Sequence, residues 1–301
     1  MRWPGTVGIW LRDICGYPYT TERLGGMSRS QTFRVRGPRG SAVVKGGARP
    51  AEARFYQTVM PVLKEYGVAI PEPKWLARDG EGLWWLILED VPQPLPRQRW
   101  VADREVLAML KRLHVAPAFR IPVSSEGFFR PRWTRAMDEA ILSCFGAEHV
   151  ADLTASLGSM RDAYRHIFLP QCPISGDPNP TNWGLRADAS VVLYDWERFG
   201  MGTPALDLAI TIPGLGDEDT FARVASAYLR ADDENDGEAI AKRVENVPST
   251  IEALANEIAA AKVWSVVEFL GMGAGDDISA TPATYSLVGE FPYWIRGLLS
   301  R

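Results

Sequence analysis

The stretch Ser175-Gly176-Asp177-Pro178-Asn179-Pro180-Thr181-Asn182, continued by Val191-Val192-Leu193-Tyr194-Asp195-Trp196-Glu197, decides the fold. It sets an Asp and an Asn in a loop, then an apolar β-branched run, then a second Asp. Pro178 and Pro180 stiffen the loop and help aim Asp177 and Asn182 at one point. Loop, strand, loop order with oxygen-bearing side chains suits phosphoryl transfer, where positioning and charge neutralisation dominate. In that chemistry Asp177 is the base or orienter for an acceptor hydroxyl. Asn182 and Asp195 are the hard oxygen donors that suit Mg²⁺. A single Asp on a loop is most often a turn or cap residue; the three side chains in this order make the signal specific.

Upstream, the chain offers what such a site needs for its phosphate donor. Thr32-Phe33-Arg34-Val35-Arg36 alternates and Ser41-Ala42-Val43-Val44-Lys45 is β-branched, with Gly37-Pro38-Arg39-Gly40 as the turn of a hairpin. A helix pattern follows over 51–66, with Phe55, Val59, Val62 and Leu63 as its stripe and Gly67 as C-cap. Lys45 ends a strand and Glu52 opens the next helix, so an ion pair between them would fix the lysine's rotamer. A strand lysine taken alone is more often a solvated surface residue. Gly25 and Gly26 precede the hairpin and let backbone amides approach phosphates, with Ser28 and Ser30 as hydroxyl donors. Alone, that Gly-Gly is no more than a turn. Trp84-Trp85-Leu86-Ile87-Leu88-Glu89 is a third strand, and by position backbone groups at Glu89 and Asp90 would bond an adenine edge.

Pro92, Pro94 and Pro96 predict a linker that leaves the sheet. Beyond them the pattern turns helical, with Asp103 as N-cap of a helix holding Val106, Leu107, Leu110 and Leu113, another helix over 150–169, and helix again from Asp195 to about residue 270. These elements predict an α+β chain in two lobes: residues 1–90 a small antiparallel-sheet nucleotide-binding lobe, residues 91–301 a larger, mostly helical catalytic and acceptor-binding lobe. No internal repeat is visible.

No apolar run approaches the ~20 residues that cross a bilayer. The start, Met1-Arg2-Trp3-Pro4-Gly5, lacks the layout of a signal peptide. Three scattered cysteines point to a reducing cytoplasm and, with three histidines, argue against a disulfide framework or a His/Cys metal centre. Residues 1–50 carry nine basic and two acidic side chains, and residues 217–257 carry eleven acidic and four basic. That asymmetry fits a basic lobe near an anionic donor and an acidic one near a cationic acceptor; solvated helix faces explain the second imbalance equally well. Nucleic acid is a poor partner, because the basic residues are not interleaved with aromatics along one element. Partners are therefore a nucleotide and a small molecule, with no membrane and no stated oligomeric state.

With these residues in view, the chain resembles the aminoglycoside phosphotransferase and choline kinase-like family, which has a protein-kinase-like fold. That family's pattern is His-Gly-Asp, four residues, Asn, then a strand ending in Asp-Trp or Asp-Phe, and Gly176, Asp177, Asn182, Asp195 and Trp196 match it. Gly202-Thr203-Pro204-Ala205-Leu206-Asp207-Leu208-Ala209 looks like the family's next segment, in which the resemblance implies that Asp207 braces the metal loop. Leu110-Lys111-Arg112-Leu113-His114 looks like its leucine-histidine helix, implied to be structural. Lys45, Glu52 and Glu89-Asp90 fit its small lobe, and the likeness spans roughly residues 20–230. One departure stands out: Ser175 occupies the place of the family's bracing His.

The expectation is a transferase moving the γ-phosphate of ATP or GTP, with Mg²⁺, to a hydroxyl of a small acceptor such as an aminoglycoside. A weak or inactive nucleotide-binding scaffold on the same fold is the alternative. A protein kinase fits less well, since no Arg precedes Asp177 and no Ala-Pro-Glu follows Asp195. Asp217, Glu218 and Asp219 would suit a polyamine, yet Asp is also a favoured N-cap. Trp264, Glu268 and Trp294 would line an acceptor pocket; core packing is the commoner role for such residues.

Overall fold

A computed structural model describes residues 3–25, 30–122, 127–231, 248, 250–273 and 282–299. Ten helices and ten strands are seen among them. Contacts gather Met1–Leu95, Phe119–Phe129 and Thr181–Phe199 into one compact unit, and Pro96–Ala118, Arg130–Pro180 and Gly200–Arg301 into a second. The first unit thus takes in two excursions from beyond residue 90, one of them the segment that holds Asn182 and Asp195.

The first unit is built on an antiparallel sheet of β1 (Thr20–Arg23), β2 (Gln31–Gly37), β3 (Gly40–Ala48), β4 (Pro73–Arg78) and β5 (Trp84–Glu89), in the order β1-β2-β3-β5-β4. The expected hairpin is β2–β3, with Phe33 opposite Val44 and Thr32 opposite Lys45. Helix α1 (Gly5–Cys15) lies on this sheet, a helix the sequence reading passed over. Its Val7, Leu11 and Cys15 recur at helical spacing and are fully buried with Val35, Ala42, Val44 and Ile87. That spacing was the available signal. Each such aliphatic side chain is worth about 1.5–3 kcal/mol on leaving water, which holds a helix too short to persist alone.

The helix expected over 51–66 is present in three pieces: α2 (Pro50–Arg54), a π-helical turn (Phe55–Val59) and α3 (Met60–Glu65). Gly67 follows with φ of 72°, the left-handed conformation of a glycine C-cap. The proline run needs a correction. Gln93–Pro94 forms a short strand, β6, pairing with Gly184 and Leu185 of β8 (Trp183–Leu185). It stands at the edge of the three-stranded order β6-β8-β9, where a residue without an N–H is tolerated. Strand β9 is Val191–Leu193.

The second unit is mainly helical. It comprises α4 (Arg104–Val115), α5 (Arg135–Leu142), α6 (Ala147–Ala163), α7 (Pro204–Ile210), α8 (Glu218–Arg230), α9 (Ile251–Gly273) and α10 (Pro282–Leu299). The Asp103 side chain caps α4 by accepting from the N–H of Glu105 and Val106. The expected unbroken helix after Asp195 is corrected by a short strand, β10 (Gly200–Gly202), which pairs with β7 (Cys172–Ile174) before α7 starts. Buried Leu206, Leu208, Val224, Ile258 and Trp264 fill the core where α7 and α8 pack on α9. No helix among the described residues is long and apolar enough to cross a membrane.

Candidate active site

The first unit brings Lys45, Glu52 and Asp195 together. The Lys45 ammonium lies 2.7 Å from Glu52 Oε2 and 2.8 Å from Asp195 Oδ1. Glu197 Oε2 stands 4.0 Å from the same ammonium and 3.7 Å from Arg49 Nε. Lys45 and Glu52 are almost wholly buried, while Asp195 and Glu197 are partly open. Burial disfavours the Lys45 charge, but Glu52 and Asp195 outweigh it and lift the lysine above its ordinary value. Burial likewise pushes the Glu52 carboxyl up against the pull of Lys45.

Carboxylate oxygens of Glu52, Asp195 and Glu197 lie within 4.8 Å of one another. Three carboxyl groups crowd one buried ammonium, and the exposed Arg49 stands beside Glu197. A cluster of hard carboxyl oxygen donors fits Mg²⁺. Asn182 closes the short helical turn Pro180–Asn182, and its carbonyl accepts the Tyr194 N–H at 3.0 Å, so it sits beside the entry to Asp195. Asp195 itself has a φ of 66°, a left-handed conformation that costs a non-glycine residue energy and clusters at functional sites. Its neighbour Trp196 is stacked on Phe55 at 4.5 Å and donates to the Leu193 carbonyl, which holds the strained turn in place.

In the second unit, Asp177 is half-buried three residues beyond β7, and the loop before it is anchored from below. Asp207 on α7 is fully buried, and its two oxygens accept the N–H of Ser175 at 2.8 Å and of Gly176 at 2.9 Å. His114 Nε2 lies 3.2 Å from Asp207, and His114 Nδ1 pairs with the Tyr228 hydroxyl at 2.9 Å. Gly176 has φ of 76°, which explains a glycine there. Ser175 Oγ accepts the Asp177 N–H at 3.4 Å, a long contact. With Ser175 in place of His, the loop is nonetheless held at two backbone amides by Asp207.

The remaining expected residues lie as follows. Gly25 is exposed after β1 and Ser30 half-buried before β2; Gly26 and Ser28 fall outside the described residues. Glu89 ends β5 and Asp90 follows it, but their side chains are taken by arginines: Arg186 on Glu89 at 2.7 and 2.9 Å, Arg34 on Asp90 at 2.7 Å. The Glu89 N–H is committed to the Glu72 carbonyl at 2.7 Å. Trp264 is core, donating to the Arg132 carbonyl, and Trp294 donates to the Gly216 carbonyl. Asp217 is an N-cap, accepting the Thr220 N–H at 2.8 Å. Part of the acidic stretch, residues 232–247, lies outside the described residues. The sequence reading assigned no role to Glu197, Arg34, Arg186 or Tyr228; only Glu197, two residues from Asp195, carried a local signal.

Comparison with known proteins supports the fold. The choline kinase LicA from Streptococcus pneumoniae is similar with a TM-score of 0.61 and 16% identity, covering 94% of each chain. A choline/ethanolamine kinase family protein from Mesorhizobium loti gives 0.63 and 17%, covering 98% of this chain and 95% of that one. The aminoglycoside phosphotransferase APH(2")-IIIa, in its GDP and kanamycin complex, gives 0.65 and 14%, covering 97% and 98%. The fold is therefore protein-kinase-like, α+β, as expected from the motif. No curated protein matches by sequence. Residues 20–243 match the family described as "Phosphotransferase enzyme family", and the chain belongs to that family.

Proposed function

We propose that the protein is a Mg²⁺-dependent O-phosphotransferase that moves the γ-phosphoryl group of ATP or GTP to a hydroxyl of a small acceptor. The observation that carries this is the buried Lys45 ammonium gripped by Glu52 and Asp195 at 2.7 and 2.8 Å. A lysine so fixed presents its charge to donor phosphates in one orientation, which is what phosphoryl transfer requires of it. The three free cysteines are consistent with a cytoplasmic setting.

Asn182 and Asp195, with Glu197 beside them, would hold Mg²⁺, which supplies neutralisation of charge on the transferred group and its leaving oxygen. Gly25, Gly26, Ser28 and Ser30 are assigned to the donor's phosphates, and the backbone at Glu89–Asp90 to its base. Asp177 accepts the acceptor's hydroxyl proton as that oxygen bonds to the γ-phosphorus. The bond to the β,γ-bridging oxygen breaks and the nucleoside diphosphate leaves. Cationic acceptors such as aminoglycosides come first in order of testing, since kanamycin and spectinomycin occupy similar proteins.

The test is release of ADP or GDP over a panel of hydroxylated amines, repeated with Asp177→Ala. Turnover falls by about 10²–10⁴-fold, the worth of a general base, while Mg²⁺-dependent nucleotide binding is kept. Full activity in that variant would overturn the assignment of Asp177. Nucleotide binding without turnover on any acceptor would instead identify a nucleotide-binding scaffold.

A further inference from the structure

The hairpin of β8 and β9 has Asn182 and Asp195 at its open end and Arg186 at the turn that closes it. The Arg186 guanidinium takes both oxygens of Glu89, Nε to Oε1 at 2.7 Å and Nη2 to Oε2 at 2.9 Å. Nη2 also donates to the Ile70 carbonyl at 3.1 Å. Glu89 Oε2 accepts the Glu72 N–H at 3.0 Å, and the Leu193 N–H reaches the Ala69 carbonyl at 3.2 Å. Arg186 therefore ties the hairpin to the end of β5 and to the segment leading into β4. The pair is half-buried, and Arg186 holds the Glu89 carboxyl below its ordinary value. A bidentate guanidinium fixes angle as well as distance, which a point charge does not.

We propose that the Arg186–Glu89 pair is a positioning device for the donor site, holding the β8–β9 hairpin so that Asn182 keeps its place beside the strand end and Asp195 stays on Lys45. Arg186 is not itself a ligand: the three residues of β8 separate it from Asn182, roughly 13 Å along the hairpin at strand rise. It acts through the backbone ladder in which the Tyr194 N–H meets the Asn182 carbonyl. The inference rests on the metal and donor roles proposed above, and its test includes a readout that needs no ligand.

Four proteins are compared with the wild type: Arg186→Ala, Arg186→Lys, the charge swap Arg186→Glu with Glu89→Arg, and Arg161→Ala. The last breaks a part-buried ion pair with Asp138 in the other unit and serves as control. Amide hydrogen exchange is followed at Leu193 and Tyr194, and the Mg²⁺ concentration for half-maximal thermal stabilisation by ATP is measured. Arg186→Ala should speed exchange at both amides about tenfold, leave the β3 amides unchanged, and raise the Mg²⁺ requirement about tenfold, the lower end for loss of a supporting contact. Arg186→Lys falls between, and the charge swap, which keeps the ion pair but loses the bonds to the Ile70 carbonyl and the Glu72 N–H, restores part of both readouts. Wild-type exchange at Leu193 and Tyr194 in folded Arg186→Ala would overturn the proposal, as would an equal shift in Arg161→Ala. A wild-type protein showing no Mg²⁺-dependent stabilisation by nucleotide would break the functional reading instead, while the exchange rates still decide the anchor.

Discussion

Two lysines, one in each compact unit, are each 6% exposed, and their surroundings are opposite. Lys45 faces Glu52, Asp195 and, farther off, Glu197, and its pKa is raised. Lys262, on α9, donates to the carbonyls of Ala209 (3.2 Å), in the last turn of α7, and Ile212 (2.5 Å), just past its end, with no carboxylate in ion-pair reach among the described residues. Its pKa is lowered to about 8 by burial. The first cluster crowds three carboxyl groups around one ammonium, and the second uses its ammonium to satisfy helix-terminal carbonyls. Crowded like charges fit the donor site proposed above; local satisfaction fits a scaffold.

The same contrast separates Asp195 from Asp207. Asp207 is wholly buried and all its described partners are donors: the N–H of Ser175, the N–H of Gly176 and His114. Asp207→Ala should break the scaffold most severely, lowering stability by about 3–5 kcal/mol because buried donors lose their charged acceptor. Chemical denaturation measures it, and a loss below ~1 kcal/mol would mean that the loop is held by something else.

Lys262→Met gives the next largest effect, and its pH dependence sharpens the comparison. A folded pKa near 8 against an ordinary 10.5 means that the unfolded chain binds more protons between those values. Wild-type stability then rises with pH through that window, and the gain is lost as pH falls through 8. The wild-type protein should gain on Lys262→Met by up to about 3 kcal/mol between pH 7 and pH 10.5. A stability difference that does not change with pH would show Lys262 to be hydrated or paired in solution.

Glu197→Gln should act in the opposite sense on stability and give the smallest change. Removing one of three carboxyl groups relieves repulsion, so the melting temperature should stay level or rise by about 1–2 °C, on the order of 1 kcal/mol. Mg²⁺-dependent nucleotide affinity should fall about tenfold. A clear loss of stability, with affinity unchanged, would move Glu197 from the site to the scaffold.

Much of this was legible from local pattern. Hairpin β2–β3, strand β5, the Asp103 and Asp217 caps and the candidate set Lys45, Glu52, Asp177, Asn182 and Asp195 each rest on neighbours within a few residues. Helix α1 was legible too, through Val7, Leu11 and Cys15, and was missed because no turn or cap residue flags its start: Pro4 precedes it and offers no side-chain cap. The Gln93–Pro94 strand was not legible. Its partner, β8, lies some ninety residues on, and nothing local distinguishes an edge strand from a linker at proline.

The sequence by itself determined the oxygen-bearing motif and its order, because turn residues, strand alternation and helix caps act over a few residues. Only the tertiary structure decided which charges face one another. Glu89 meets Arg186 across 97 positions, Lys45 meets Asp195 across 150, and Ser175 is braced by Asp207 across 32. Such pairs depend on how strands and helices pack, and no local propensity encodes them. The excess of carboxylates around Lys45, the feature that most strongly marks the site, exists only once three distant segments are folded together.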